Sequence, residues 1–191
     1  MHSTMSERGL RLRLEAGQSL PIHVCWRIED GYLRATSWTN QRDVFTLGIW
    51  GPGEVIIPQL LAQKPIELRT LSSAQVQEWS PDPAHHHACV QGHIQQIATL
   101  LELTRIRPAE ARLFSLLVWL GERFGTSTAQ GRSVPLDPLN LTHRQLAEMA
   151  SVSRVTVTKA LGHFRQQGLL LRTGELDVLS EAGVAAVRGL R

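Results

Sequence analysis

The chain has 191 residues, 42% of them apolar and 19% charged, with a net charge of +3. That length suits one large domain or two small ones with real cores, and the composition excludes wholesale disorder. No run of 18 apolar residues occurs, which excludes a membrane-spanning helix. The opening "MHSTMSERGLRLRLEAG" lacks the apolar stretch of a secretory signal. Two cysteines, Cys25 and Cys89, cannot make a disulfide framework and fall short of the four thiolates of an iron–sulfur cluster, so a reducing cytoplasm is the simplest setting.

Residues 10–80 read as strands. "LRLRLEAG" alternates Leu10, Leu12 and Leu14 with Arg11 and Arg13, which predicts leucines inward and arginines outward on a half-buried strand. "VCWRIEDGYLRATSW" is two apolar runs joined at Asp30-Gly31, a pair that suits a tight hairpin. "TNQRD" and "GPGE" are further turns. Short strands with regular turn signals predict a small β barrel or sandwich.

From residue 84 the period becomes helical. Val90, Ile94, Ile97, Leu101 and Thr104 recur at spacings of 4, 3, 4 and 3, the seam of a helix that pairs with another helix. Either a partner helix or the chain's own roll would cover such a seam, and the strict alternation favours the partner, hence a homodimer. Arg107-Pro108 predicts a hinge. The next helix, "PAEARLFSLLVWLGERFG", is expected to bury Leu113, Leu116, Leu117, Leu120 and Phe124 and to stop at Gly125. Residues 126–138, polar with Gly and Pro, read as a loop.

Residues 141–180 carry the function. Thr142 is a good N-cap with Gln145 three residues on, as in a capping box. A short helix over 143–149, a turn through Ala150-Ser151-Val152, a second N-cap at Ser153 and a helix to Gln167 follow, with Gly168 ending it. "LLLRTGELDVL" is a two-stranded hairpin with Thr173-Gly174 at its tip. Together these make a winged helix-turn-helix. In that motif the second helix enters the major groove with its N-terminal residues at the base edges. Arg154 and Lys159 have the donors to read guanine, and Ser153, Thr156 and Thr142 sit near helix N-termini that receive phosphates. Residues 141–173 hold five Lys/Arg against one acid, Glu148, a local excess that suits a polyanion.

"LTHRQLAEMASVSRVTVTKALGHFRQQGLL" resembles the helix-turn-helix of the catabolite-activator (Crp/Fnr) family of bacterial transcription factors. The shared features are a Leu-Thr start, a Gln-Leu-Ala core, a Ser-Arg-x-Thr-Val recognition start and a Gly-Leu-Leu end. "RIRPAEARLFSLLVWLGERFG" is similar to the family's hinge and following helix, and "RIEDGYLRATSWTNQRDVFTLGIWGPGEVI" to its β-roll. The resemblance implies an α+β fold: an N-terminal β-roll over 1–83, of the jelly-roll, cyclic-nucleotide-binding-like kind, a dimerisation helix over 84–107, and a winged helix-turn-helix over 108–191. It implies base reading by Arg154, Val155 and Lys159 and backbone contacts by Thr142, Ser153 and Thr156, on an inverted repeat of double-stranded DNA with RNA polymerase as a partner. Val155 departs from the Glu of the best-known members, which changes the expected half-site, since valine offers only an apolar contact such as to a thymine methyl.

Cyclic-AMP binders of the family carry a Gly-Glu pair after the "GPGE"-like turn and then Arg-Ser/Thr-Ala. Here Ile57-Pro58 stand at the pair and Arg69 lacks the following Ala, so cyclic AMP is not the expected effector. Three readings stay open. One is another anionic effector, with a cyclic dinucleotide such as cyclic di-GMP favoured by the arginines of the N-terminal half and by Arg11, Arg13 and Arg69 in particular. A second is a metal or haem sensor using His85, Cys89 and His93, which fall at i, i+4 and i+8. The third is a regulator or adaptor controlled by a protein partner. No catalytic motif is present in the sequence, and no enzyme is expected.

Overall fold

The computed structural model describes residues 9–40, 43–61, 65–80 and 83–188. Arg8, Arg42 and Lys64, three basic residues of the N-terminal half, lie outside them. The chain runs through β1 (Arg11–Leu14), β2 (Ser19–Leu20), β3 (Trp26–Asp30), β4 (Leu33–Trp38), β5 (Val44–Trp50) and β6 (Val55–Ile56). A 3-10 turn (Pro58–Leu61), β7 (Ile66–Thr70) and β8 (Ala74–Glu78) complete the described N-terminal half. These strands form two four-stranded antiparallel sheets, β1-β8-β3-β6 and β2-β7-β4-β5, wrapped as a roll. Trp26, Ile28, Leu33, Ala35, Trp50, Leu68 and Val76 fill its interior.

Two strand expectations need correcting. Leu12 and Leu14 turn inward, but Leu10 is 52% exposed. It precedes β1, where its amide donates to Glu78 Oε2 and its carbonyl accepts from the Glu78 amide. The Asp30-Gly31 turn is no hairpin, because β3 pairs with β8 and β6 while β4 pairs with β5 and β7. Gly31 makes the corner between the sheets: its φ is +79° and a Cβ there would lie 2.2 Å from the Ser73 carbonyl oxygen. Only glycine fits on both counts.

α1 (Pro83–Arg105) then lies along the roll. Its His93, Gln96, Leu100 and Leu103 are buried, whereas Ile94, Ile97 and Leu101 are 62, 37 and 58% exposed. Val90 and Thr104 are half-buried. α2 (Ala109–Phe124) buries Leu113 through Gly121, and Phe124 is half-buried with its ring edge-on to Tyr32 and Trp119.

The expected loop at 126–138 contains β9 (Ser127–Thr128) and β10 (Gly131–Val134). β10 pairs with the wing, so the C-terminal sheet has four strands, β11-β12-β10-β9, with β11 at Leu170–Thr173 and β12 at Leu176–Ser180. Its Ser, Thr and Gly residues carry no strand pattern of their own; pairing with β12, some forty-five residues downstream, makes the strand. A further helix closes the described chain; the helices that follow α2 are α3 (His143–Ala150), α4 (Arg154–Gln166) and α5 (Glu181–Arg188).

Side-chain bonds fix the C-terminal half to the roll. Arg34, 4% exposed on β4, donates through Nε and Nη2 to Thr46 Oγ1 (2.9 and 2.7 Å) and through Nη1 to Glu148 Oε2 on α3 (3.0 Å). Arg123 Nη2 reaches the Ile49 carbonyl and Glu54 Oε1 (3.2 and 2.6 Å), and Asn140 Nδ2 donates to the Leu71 carbonyl (3.0 Å). Arg112 ties the end of α1 to the helix-turn-helix: Nη1 reaches the Thr104 and Ile106 carbonyls and Nη2 that of Ser151.

Candidate nucleic-acid interface

Local chemistry builds the α3–turn–α4 unit. Thr142 Oγ1 accepts from the Gln145 amide (3.2 Å), and Gln145 Oε1 accepts in return from the Thr142 amide (2.9 Å), a complete capping box. The turn closes at Ser151, which takes the left-handed conformation (φ +50°) and donates its amide back to Ala147 and Glu148. Ser153 Oγ accepts from the Thr156 amide at 3.0 Å and caps α4. Behind it Val157, Ala160, Leu161 and Phe164 are buried, with the Phe164 ring edge-on to Phe114 at 4.9 Å. His143 Nδ1 and Thr158 Oγ1 stand 3.0 Å apart and join the two helices. The sequence reading passed over this pair, because contact across the turn leaves no periodic signal.

The outer face of α4 is open. Arg154, Val155 and Lys159 are exposed, Val155 to 62%. Among the described residues neither Arg154 nor Lys159 makes an ion pair. The other three cations of the 141–173 patch are engaged. Arg144 pairs with Glu148 at 3.1 Å, and Arg165 and Arg172 pair with the two oxygens of Asp177 at 3.1 and 3.0 Å. Asp177 is 4% exposed, and Arg172 also holds Asp137 at 3.2 Å. The Asp137 hydrogen bond, with both carboxylates beside it, raises the Arg172 pKa. Asp177 lies beyond residue 173, so the patch is smaller than its sequence suggests, and the cations left without an ion pair among the described residues are Arg154 and Lys159.

The candidate effector arginines do not converge. Arg11 lies flat on β1, paired with Glu29 at 3.3 Å and Gln77 at 3.4 Å, and Arg13 beside it is exposed. Arg69 belongs to the other sheet and pairs with Glu67 at 2.7 Å. Arg69 does border a cleft of about 470 Å³ between roll and α3, shared with Arg34 and Arg144.

At the place of the Gly-Glu pair, the Ile57 amide donates to His93 Nε2 (3.2 Å), and the Ile49 amide donates to Gln96 Oε1 (2.6 Å). The Trp50 indole lies over Gly48, where a Cβ would stand 2.3 Å from the ring. His93 and Gln96 thus fill the part of the roll–α1 interface beside Ile57 and Ile49.

His85, Cys89 and His93 border one cavity, but His93 is not available as a ligand. Its Nδ1 is 2.7 Å from the Cys89 carbonyl and must donate there, which leaves Nε2 as the acceptor for Ile57. Burial lowers the His93 pKa and raises that of Cys89, so the one stays neutral and the other a thiol, the poorer form for a metal. Among the described residues no group of three or more His, Cys, Asp or Glu is placed to hold a metal ion.

Residues 111–187 match the Crp-like helix-turn-helix domain family. The chain is 39% identical over 150 residues to the regulatory protein CysR of Synechococcus elongatus, covering 78% of this chain and 73% of that protein. Its fold is shared with a CRP-family transcriptional regulator from Thermus thermophilus, at TM-score 0.71 and 19% identity over 93% of this chain and 96% of the other. It is also shared with CLP, a c-di-GMP-responsive global regulator of Xanthomonas campestris, at TM-score 0.68 and 18% identity over 90% of this chain and 94% of that one.

Proposed function

The chain belongs to the Crp/Fnr family of transcription regulators, and from that membership we propose that it acts as a homodimer that reads an inverted repeat of duplex DNA with Arg154, Val155 and Lys159. The observation that carries this reading is the division of the cations over residues 141–173: three are held in ion pairs, and Arg154 and Lys159 have none among the described residues. Thr142, Ser153 and Thr156 set the two helix N-termini against the phosphates. The exposed Ile94, Ile97 and Leu101 supply the face on which a second copy's α1 would lie. Two such heads stand about 34 Å apart, one turn of DNA. Promoter control in the cytoplasm, through RNA polymerase, is the use such a dimer serves.

The regulator answers a small anionic effector other than cyclic AMP. The Ile57-Pro58 segment and the indole over Gly48 support the exclusion of cyclic AMP, and CLP, which is c-di-GMP-responsive, makes cyclic di-GMP the first compound to try. Selection of bound duplexes from a random pool tests the DNA reading. Enrichment of a two-fold symmetric site is expected, and an unsymmetric or sequence-blind pool would refute it.

A further inference from the structure

A cavity of about 540 Å³ opens where the roll, α1 and α2 meet, a size typical of small-molecule sites. Its walls bring together three features that fold stability alone does not require. The Arg27 guanidinium lies 5.8 Å above the Trp79 ring and makes no ion pair among the described residues. Arg123, on α2, spends Nη2 on Glu54 and the Ile49 carbonyl, while its Nε is buried without a partner. Gly92, in the middle of α1, faces the opening with nothing within 4 Å of where a Cβ would stand. Glycine inside a helix is unfavourable relative to alanine by up to about 1 kcal/mol, so this one keeps room at a cost to the helix.

The chemistry of the walls is specific. Trp79 supplies a partly open aromatic face beside the buried Trp50, and two guanidiniums stand against one carboxylate, Glu54. Guanidiniums fork phosphates and carboxylates and stack on planar rings. At 100° per residue, Gly92 points away from Val90, Ile94, Ile97 and Leu101, so an occupant does not compete with a dimer partner. It touches the roll through Arg27, then α1 at Gly92, and the DNA-binding half through Arg123.

We propose that this cavity is the effector site and that it takes a flat aromatic anion, its ring against the Trp79 indole and its phosphate or carboxylate on the Arg27 and Arg123 guanidiniums. The proposal rests on the reading of the protein as effector-controlled. It places the site away from Arg11, Arg13 and Arg69.

Titration of the full chain, followed by tryptophan fluorescence and calorimetry, tests it. GMP and cyclic di-GMP serve as phosphate probes, 2-naphthoate as the carboxylate probe and uncharged guanosine as the control. At least one anion is expected to bind once per chain, at least tenfold more tightly than guanosine. Arg27→Ala should weaken it tenfold or more, Gly92→Leu should abolish it, and the double variant Arg11→Ala with Arg13→Ala should leave it unchanged. Arg27 is exposed and Gly92→Leu improves helix propensity, so both variants should keep the wild-type circular dichroism and DNA affinity without ligand. Binding that survives both Arg27→Ala and Gly92→Leu overturns the site while leaving effector control standing. Guanosine binding as tightly as the anions overturns the anionic class. Failure of all three anions to bind the wild-type chain overturns the site and the effector reading together, and the DNA selection described above stands apart from either result.

Discussion

The start of α4 and the junction between roll and helix-turn-helix use the same residue types in opposite ways. At the junction Arg34, Arg112 and Arg123 each reach two or more protein acceptors, and burial lowers the Arg34 pKa against the pull of Glu148. At the start of α4, Arg154 and Lys159 reach no such acceptor among the described residues. Arg154 is the first residue of the helix, where the backbone dipole is already positive and a cation is disfavoured. A guanidinium among buried acceptors acts as a fastener. One left in water, at the wrong end of a helix dipole, gains nothing from the fold, which accords with the proposed contact to DNA.

The strongest way to test this contrast is to remove the junction acceptor. Glu148→Ala leaves the Arg34 charge buried against Thr46 alone and should destabilise the protein by about 3 kcal/mol, read by denaturant unfolding. A loss under 1 kcal/mol would mean that water reaches Arg34. On the other side, Arg154→Ala and Lys159→Ala should each cost about 1–3 kcal/mol on the selected site and less on random duplex. Their unfolding free energy should be unchanged or slightly raised. Equal losses on both duplexes would reduce them to phosphate contacts.

A smaller effect distinguishes buried from exposed histidine. Burial holds the folded-state pKa of His93 below the ordinary 6.5, so its contribution is whole above that pH and is lost as pH falls and the unfolded chain takes up the proton. Stability should therefore decline from pH 7 toward 5, and His93→Gln, neutral throughout, should flatten the decline. A profile identical to wild type would place the titration elsewhere. The smallest effect belongs to Arg144→Ala, which removes one exposed i,i+4 ion pair: about 0.3–0.5 kcal/mol, at the limit of denaturant measurements.

The helix-turn-helix was legible because its signals are local. Thr142 with Gln145, and Ser153 with Thr156, lie within one helical turn, and the core of α4 repeats every three or four residues. Where contacts are distant the sequence misled. Asp30-Gly31 carries a hairpin dipeptide, but the strands on either side choose partners elsewhere in the chain. Ser127 to Val134 become strands only because β12 arrives beside them. Asp177, which neutralises Arg165 and Arg172, joins them through the wing, and Glu148 finds Arg34 across more than a hundred residues. The arginines of the N-terminal half could be counted from the sequence, but their sorting into surface pairs, the buried Arg34 and the cavity-lining Arg27 is decided by the tertiary fold.

The three carbonyls held by Arg112 belong to the last turn of α1, the hinge and the corner between α3 and α4. Carbonyls at the end of a helix lack partners within it, and here one guanidinium takes them in place of water. A swing of the reading head about the hinge must therefore release a charged donor from its acceptors before any backbone angle turns. The link between α1 and the head is not a slack string but a catch, which acts with Arg34, Arg123 and Asn140 to hold the head against the roll.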